Sequence, residues 1–117
     1  MSKSGKLLLL AVMAVLSLAQ PTYAQYPDRS ITLVVPFAPG GSTSIVARAI
    51  ADKMGEILGQ KIVVDNRPGA GGTIGTKAVA SSTPDGYTLV LGYTGTLAIG
   101  PSLYPHAGYD PRKDFTP

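Results

Sequence analysis

The stretch Ile31-Thr-Leu-Val-Val35 decides the fold, together with the turn-rich Pro36-Phe-Ala-Pro-Gly-Gly-Ser-Thr-Ser44 that follows it. A run of five β-branched or apolar residues ended by proline is typical of a strand buried on both faces. Apolar residues then recur at steps of one, three and four as far as Gly59, which predicts an amphipathic helix with glycine as its carboxyl cap. We expect the sheet-facing side of this helix to carry Ile45, Val46, Ala49, Ile50, Met54, Ile57 and Leu58, and the opposite side to carry Arg48, Asp52, Lys53 and Glu56.

The rest of the chain repeats this alternation of strand and helix. Residues 62–64 and 88–91 read as strands, and residues 73–80 between them read as a short helix. Strands separated by helices of this length imply a parallel sheet. The sequence therefore predicts an α/β fold, a parallel sheet with flanking helices. Residues 97–103 follow as a short helix or turn, and the proline-rich end of the chain shows no period.

The first 24 residues have the layout of a secretory signal peptide. Lys3 and Lys6 precede a core of about 13 mostly apolar residues, and small residues at Thr22 and Ala24 offer a cleavage site after Ala24. The alternative is a retained membrane anchor, but a span needs about 20 apolar residues. We therefore expect residues 25–117 to be the exported part.

Composition excludes several classes of function. The chain has no cysteine and one histidine, His106, so we expect no disulfide, no thiol nucleophile and no metal site. The formal net charge of +3 falls to +1 once Lys3 and Lys6 are removed, which argues against a nucleic-acid partner. The glycine-rich residues 69–77 fail the dinucleotide fingerprint because Ile74 stands where glycine is required. No catalytic nucleophile, base and acid can be assembled, and we expect no cofactor.

Two loops have the composition of an anion site. The first carries Gly40 and Gly41 followed by the hydroxyls of residues 42–44 at the start of a helix, and the second is Thr94-Gly-Thr96. If their strands are neighbours, the loops face one another at the carboxyl edge of the sheet. Helix capping by Ser42 or Thr43 is the alternative, and it needs no ligand. We interpret Arg67-Pro-Gly as a solvated turn rather than an anion clamp.

Several blocks of residues carry a family resemblance. The string Tyr26-Pro-Asp-Arg-Ser-Ile-Thr-Leu-Val-Val-Pro-Phe-Ala-Pro-Gly-Gly-Ser-Thr43 closely resembles the start of the mature solute-binding receptors of tripartite tricarboxylate transporters, the Bug proteins. The likeness continues in Val64-Asp-Asn-Arg-Pro-Gly-Ala-Gly-Gly72 and Thr83-Pro-Asp-Gly-Tyr-Thr-Leu89, and in residues 101–104 and 109–115.

This resemblance implies a periplasmic, two-lobe, type II-like binding protein. Residues 25–117 would be its amino-terminal portion and would lie mostly in the first lobe, so the fold would be incomplete in this chain. Such a receptor is not an enzyme; it captures a small carboxylate and delivers it to membrane permease subunits. One departure is Ser44, where relatives commonly carry Asp. The alternative is an exported α/β enzyme fragment with its catalytic residues beyond Pro117. Carried over position by position, the implied ligand-binding residues are Pro39, Gly40, Gly41, Ser42, Thr43, Thr94, Gly95 and Thr96.

Overall fold

The structure is a computed structural model that describes residues 25–117, so the expected signal peptide lies outside the described residues. Three strands alternate with helices along this part of the chain. The elements are β1 (Ile31–Val35), α1 (Ser42–Leu58), β2 (Ile62–Asn66), a 3-10 turn (Ala70–Gly72), α2 (Thr73–Ala80), β3 (Thr88–Val90), a π-helical turn (Gly95–Ile99) and α3 (Gly100–Leu103). Among these residues, no helix is long and apolar enough to cross a bilayer.

The strands form one parallel sheet in the order β2-β1-β3. The central strand β1 places Leu33 opposite Val64 on one side and Leu89 on the other. The predicted parallel α/β arrangement with flanking helices is confirmed. Strand β2 runs two residues further than the sequence predicts, because Asp65 and Asn66 continue the register beside β1.

Helix α1 packs on one face of the sheet. Side chains from alternate positions of β1 (Ile31, Leu33 and Val35) are buried against Ala47 and Ala51 of the helix. Because strand side chains alternate between faces, Val34 points to the other side, and it is buried there as well. Helix α2 contacts β1 and β3 and covers this second face. Strand β1 is therefore buried on both faces, as its sequence predicts.

The predicted packing face of α1 is wrong except at Met54, which is partly buried against the core. The buried residues of this helix are Ser44, Ala47 and Ala51, whereas Ile50 is 41% exposed and Ile57 is 74% exposed. The large side chains of β1 already fill the space between the layers, so a close-packed interface needs small residues on the helix. The helix is rotated accordingly, and most of its larger apolar side chains are exposed. The polar side is exposed as expected.

The amino-terminal segment is fastened at the amino edge of the sheet. The Tyr26 hydroxyl donates to the Gly86 carbonyl at 2.7 Å, and the Tyr87 hydroxyl donates to Asp28 at 2.6 Å. Arg29 forms an ion pair with Asp85 at 2.9 Å and lies 4.2 Å from the centre of the Tyr87 ring. These contacts lie at the start of β3. The predicted site lies at the opposite, carboxyl edge of the sheet.

The strand order β2-β1-β3 places a topological switch point at that carboxyl edge. The chain leaves β1 towards β2 across the face that α1 covers, and it passes from β2 to β3 across the face that α2 covers. The connection that leaves β1 and the connection that leads into β3 thus lie on opposite faces of the sheet. In open parallel sheets, ligands bind outside the carboxyl ends of the strands at such a switch point.

Candidate functional site

The first loop, residues 36–41, leads from β1 into α1. Backbone amides at the end of this loop and in the first turn of α1 have no hydrogen-bond partner among the described residues. The helix is preceded by Gly41, and no side chain caps it, so the alternative of capping by Ser42 or Thr43 is wrong. The amides of Ser44 and Ile45 donate to the Gly41 carbonyl at 3.0 and 3.1 Å. The four amides before them, residues 40–43, make no hydrogen bond to any described residue. Free amides at the start of a 17-residue helix favour an anion.

The shape of this loop depends on one glycine. Gly40 has a φ of +89°, in the left-handed region that residues with a Cβ rarely adopt. Pro39, Gly40, Gly41 and Ser42 are exposed, and Thr43 is half-buried. The predicted residues of the first loop therefore lie at the surface, where a ligand can reach their backbone.

The second loop divides into exposed and buried parts. Thr94 is exposed, and its amide and that of Gly95 make no hydrogen bond to any described residue. Thr96 is 1% exposed, and its carbonyl accepts a hydrogen bond from the Tyr109 hydroxyl at 2.8 Å. Burial raises the pKa of that hydroxyl, and the neighbouring Tyr93 adds to the shift. The structure thus leaves Thr94 and Gly95 accessible and places the Thr96 side chain in the packed interior.

The two loops meet, as the sequence predicts for neighbouring strands. Strands β1 and β3 are paired, and the Leu91 amide extends this pairing by donating to the Val34 carbonyl at 2.8 Å. Beyond this point the rings of Phe37 and Tyr93 pack edge to face, with their centroids 4.8 Å apart. Phe37 of the first loop and Tyr93, which directly precedes the second loop, therefore share an aromatic contact at the carboxyl edge.

A third segment, the glycine-rich turn before α2, also reaches this edge. The Tyr93 hydroxyl donates to the Gly71 carbonyl. Gly72 is buried, and a Cβ there would lie 3.0 Å from Thr96, 3.1 Å from Tyr93 and 3.3 Å from Pro36. Sequence reasoning rejected a nucleotide motif here and missed this packing role. The only signal was the density of glycines. The neighbouring Arg67 pairs with Asp65 at 2.8 Å and is half exposed, consistent with a solvated turn.

Sequence reasoning also missed Asn66. This residue ends β2, and its side-chain amide donates to the Phe37 carbonyl at 2.9 Å and to the Ser44 hydroxyl at 3.2 Å. Ser44, the position of the departure from the family pattern, is 1% exposed. Its side chain therefore contacts Asn66 in the interior, and it is not directed at solvent.

A separate cleft of about 490 Å³ lies against the end of the chain. Leu97, Tyr104 and Tyr109 line it together with Asp110 and Arg112. The Arg112 amide hydrogen bonds to Asp110 and lowers the pKa of that carboxyl. The cleft includes none of the eight predicted ligand-binding residues. His106 is exposed, and within residues 25–117 no three metal-ligating side chains cluster.

Comparison with known proteins agrees with this fold. A sequence profile of the tripartite tricarboxylate transporter family receptor matches residues 46–117. Protein BugT of Bordetella pertussis (strain Tohama I) is 48% identical over 106 residues, which is 89% of this chain and 32% of BugT. The chain therefore spans about a third of the length of this curated relative.

Solved structures of periplasmic binding proteins are also similar to this chain. The periplasmic binding protein BugD is 50% identical with a TM-score of 0.75, over 79% of this chain and 30% of BugD. MatC from Rhodopseudomonas palustris, solved with bound malate, is 49% identical with a TM-score of 0.74, over 79% of this chain and 31% of MatC. A further R. palustris protein, solved with adipate, is 46% identical with a TM-score of 0.75, over 80% of this chain and 31% of that one.

The fold is thus part of the fold of the periplasmic binding proteins. The chain belongs to the tripartite tricarboxylate transporter receptor family. Its structural neighbours include binding proteins solved with carboxylates, which agrees with the solute-binding class that the sequence predicts.

Proposed function

We propose that this chain is the amino-terminal portion of a periplasmic receptor that captures a small carboxylate and delivers it to the permease subunits of a tripartite tricarboxylate transporter. Export requires the signal peptide, which is cleaved after Ala24. The receptor binds its cargo without altering it and uses no cofactor. Family membership supports the transport role, and relatives solved with malate and adipate support the ligand class.

One observation carries the proposal: the free backbone amides of residues 40–43 and 94–95 lie on two loops that leave neighbouring strands. Backbone amides are good partners for a carboxylate because each donates directly to a charged oxygen. The dipole of α1 adds to the attraction, since the positive end of a helix is its amino terminus. The ligand-binding residues are therefore those of the two loops, except that Thr96, whose amide already donates to the Tyr93 carbonyl at 3.1 Å and whose side chain is buried, supports the second loop from the interior.

The free energies of the available contacts indicate that this lobe needs a second lobe to bind a carboxylate tightly. Micromolar affinity requires about 8 kcal/mol. Two or three hydrogen bonds to a charged group contribute roughly 1.5–3 kcal/mol each, and the helix terminus adds about 0.3–1 kcal/mol. Association costs an estimated 4–15 kcal/mol, which removes most of this gain. We therefore expect residues 25–117 alone to bind carboxylates weakly, and a closed two-lobe receptor to bind in the micromolar range or better.

Calorimetric titration of malate, adipate and citrate tests the proposal. The proteins are the longest product that the gene encodes and the isolated residues 25–117. Arg29→Ala, at the opposite edge of the sheet, is the control, and it should bind as the wild type does. The proposal is supported if the long product binds and Thr94→Pro weakens that binding at least tenfold, since proline removes one free amide and its hydrogen bond of roughly 1.5–3 kcal/mol. The proposal fails if the long product binds none of these acids.

A further inference from the structure

Asn66 occupies an unusual position relative to the first loop. It is the last residue of the edge strand β2 and lies beside Val35, the last residue of β1. The next amide, that of Arg67, donates to the Val35 carbonyl at 2.9 Å and holds the backbone in place. The Asn66 side chain is therefore presented to the loop from a fixed strand end.

That side chain holds both ends of the loop. Its Nδ2 donates to the Phe37 carbonyl at 2.9 Å and to the Ser44 hydroxyl at 3.2 Å, and its Oδ1 lies 3.3 Å from the same hydroxyl. Arg48 adds a longer contact of 3.5 Å to Oδ1. Phe37 and Ser44 flank residues 38–43, so every proposed ligand-binding residue of the first loop lies between the two points that Asn66 holds.

The loop has little else to fix its shape. It contains two adjacent glycines, its helix has no side-chain cap, and residues 38–42 are exposed. A flexible loop must be ordered when its ligand binds, and the ordering cost lowers affinity. A side chain that fixes the separation between Phe37 and Ser44 before binding removes part of that cost.

We propose that Asn66 is a positioning residue for carboxylate binding, whose side-chain amide pre-organises the backbone of residues 38–43. The proposal rests on the function proposed above and adds a residue that does not itself touch the ligand. Ser44 acts with it as the second anchor, which gives this buried hydroxyl a role that needs no contact with the cargo.

The test compares loss of affinity with loss of stability in the longest product that the gene encodes. Asn66→Ala removes the hydrogen bonds to both Phe37 and Ser44, and Ser44→Ala removes only the second of them. Val79→Ala is a matched control, because it removes buried atoms from α2 on the other face of the sheet. We expect Asn66→Ala to weaken malate or adipate binding at least tenfold, equivalent to about 1.4 kcal/mol. Ser44→Ala should have a smaller effect, and Val79→Ala should bind within twofold of wild type despite a lower melting temperature.

Two outcomes overturn the proposal: Asn66→Ala binding within twofold of wild type, or affinity falling with melting temperature equally in all three variants. Asn66→Asp, which keeps the size but loses the donor to Phe37, provides the same test if the alanine variant does not fold. Should the wild type bind no acid, the proposed function fails separately. Nitrogen-15 relaxation of Gly40 and Gly41 in the unliganded protein then tests the positioning role of Asn66. The order parameters of these two amides should fall from about 0.85 in the wild type to below 0.6 in the Asn66 variants. Unchanged order parameters contradict the proposal.

Discussion

Replacing Gly72 by alanine should disrupt the contact at which the three loops of the carboxyl edge meet. Gly72 has a φ of +90°, and an added Cβ would lie 3.0 Å from Thr96, 3.1 Å from Tyr93 and 3.3 Å from Pro36. Of these neighbours, Pro36 begins the first loop after β1, and Tyr93 and Thr96 lie at the second loop. The substitution therefore combines backbone strain with crowding from several directions.

The two contributions can be separated with the neighbouring Gly71. Its φ is +60°, also in the left-handed region, but a Cβ there would meet nothing within 4 Å. The backbone term is about 1–2 kcal/mol for either residue, and overpacking adds typically 1–3 kcal/mol. Gly71→Ala should thus lower the free energy of unfolding by about 1–2 kcal/mol, and Gly72→Ala by about 2–5 kcal/mol.

Urea denaturation of both variants of the longest gene product measures this difference. The expected excess of about 1–3 kcal/mol for Gly72→Ala is well above the error of comparing two midpoints with a common slope. Equal losses in the two variants would refute the reasoning, because they would show that Thr96, Tyr93 and Pro36 move aside without cost.

Three further predictions concern other parts of the chain. Gly40→Ala should cost about 1–2 kcal/mol of unfolding free energy in urea, all of it backbone strain, since a Cβ there meets nothing within 4 Å; an unchanged midpoint would contradict the left-handed geometry. Tyr87→Phe removes two hydrogen bonds to Asp28 and should speed amide exchange of residues 26–30, whereas unchanged exchange would show that the segment is held without them. The pKa of Asp110 is lower in the folded state, chiefly because the Arg112 amide donates a hydrogen bond to its carboxylate. The carboxylate therefore stabilises the fold at pH values above the ordinary aspartate pKa of about 3.9, and this stabilisation is lost as the pH falls through the lowered pKa. Asp110→Asn should flatten the acid limb of the stability curve, and an unchanged limb would refute this.

Local patterns predicted most of the elements. The sequence signals for β1 and α2 match the observed bounds, and Gly59 caps α1 in the left-handed conformation, as expected. The packing face of α1 was mispredicted because periodicity identifies an apolar stripe but does not report the volume that the facing strand has already filled. Ala47 and Ala51 are buried beside β1, whereas the bulkier Ile50 and Ile57 are exposed.

The same limit applies to the site. The two candidate ligand loops were predicted from their composition and from the rule that ligands bind at the carboxyl ends of parallel strands, which needs no knowledge of side-chain contacts. Asn66 and Gly72 were missed because their roles depend on residues far away in sequence: Phe37 for the first, and Thr96 for the second. Only the assembled sheet brings these partners together.

A crystal structure of the longest gene product with malate or adipate tests the central claim most directly. We predict that a ligand carboxylate lies within hydrogen-bonding distance, directly or through one water, of the backbone amides of residues 40–43 and of Thr94 or Gly95. A ligand bound elsewhere, with both loops free of any carboxylate contact, would contradict the proposed site.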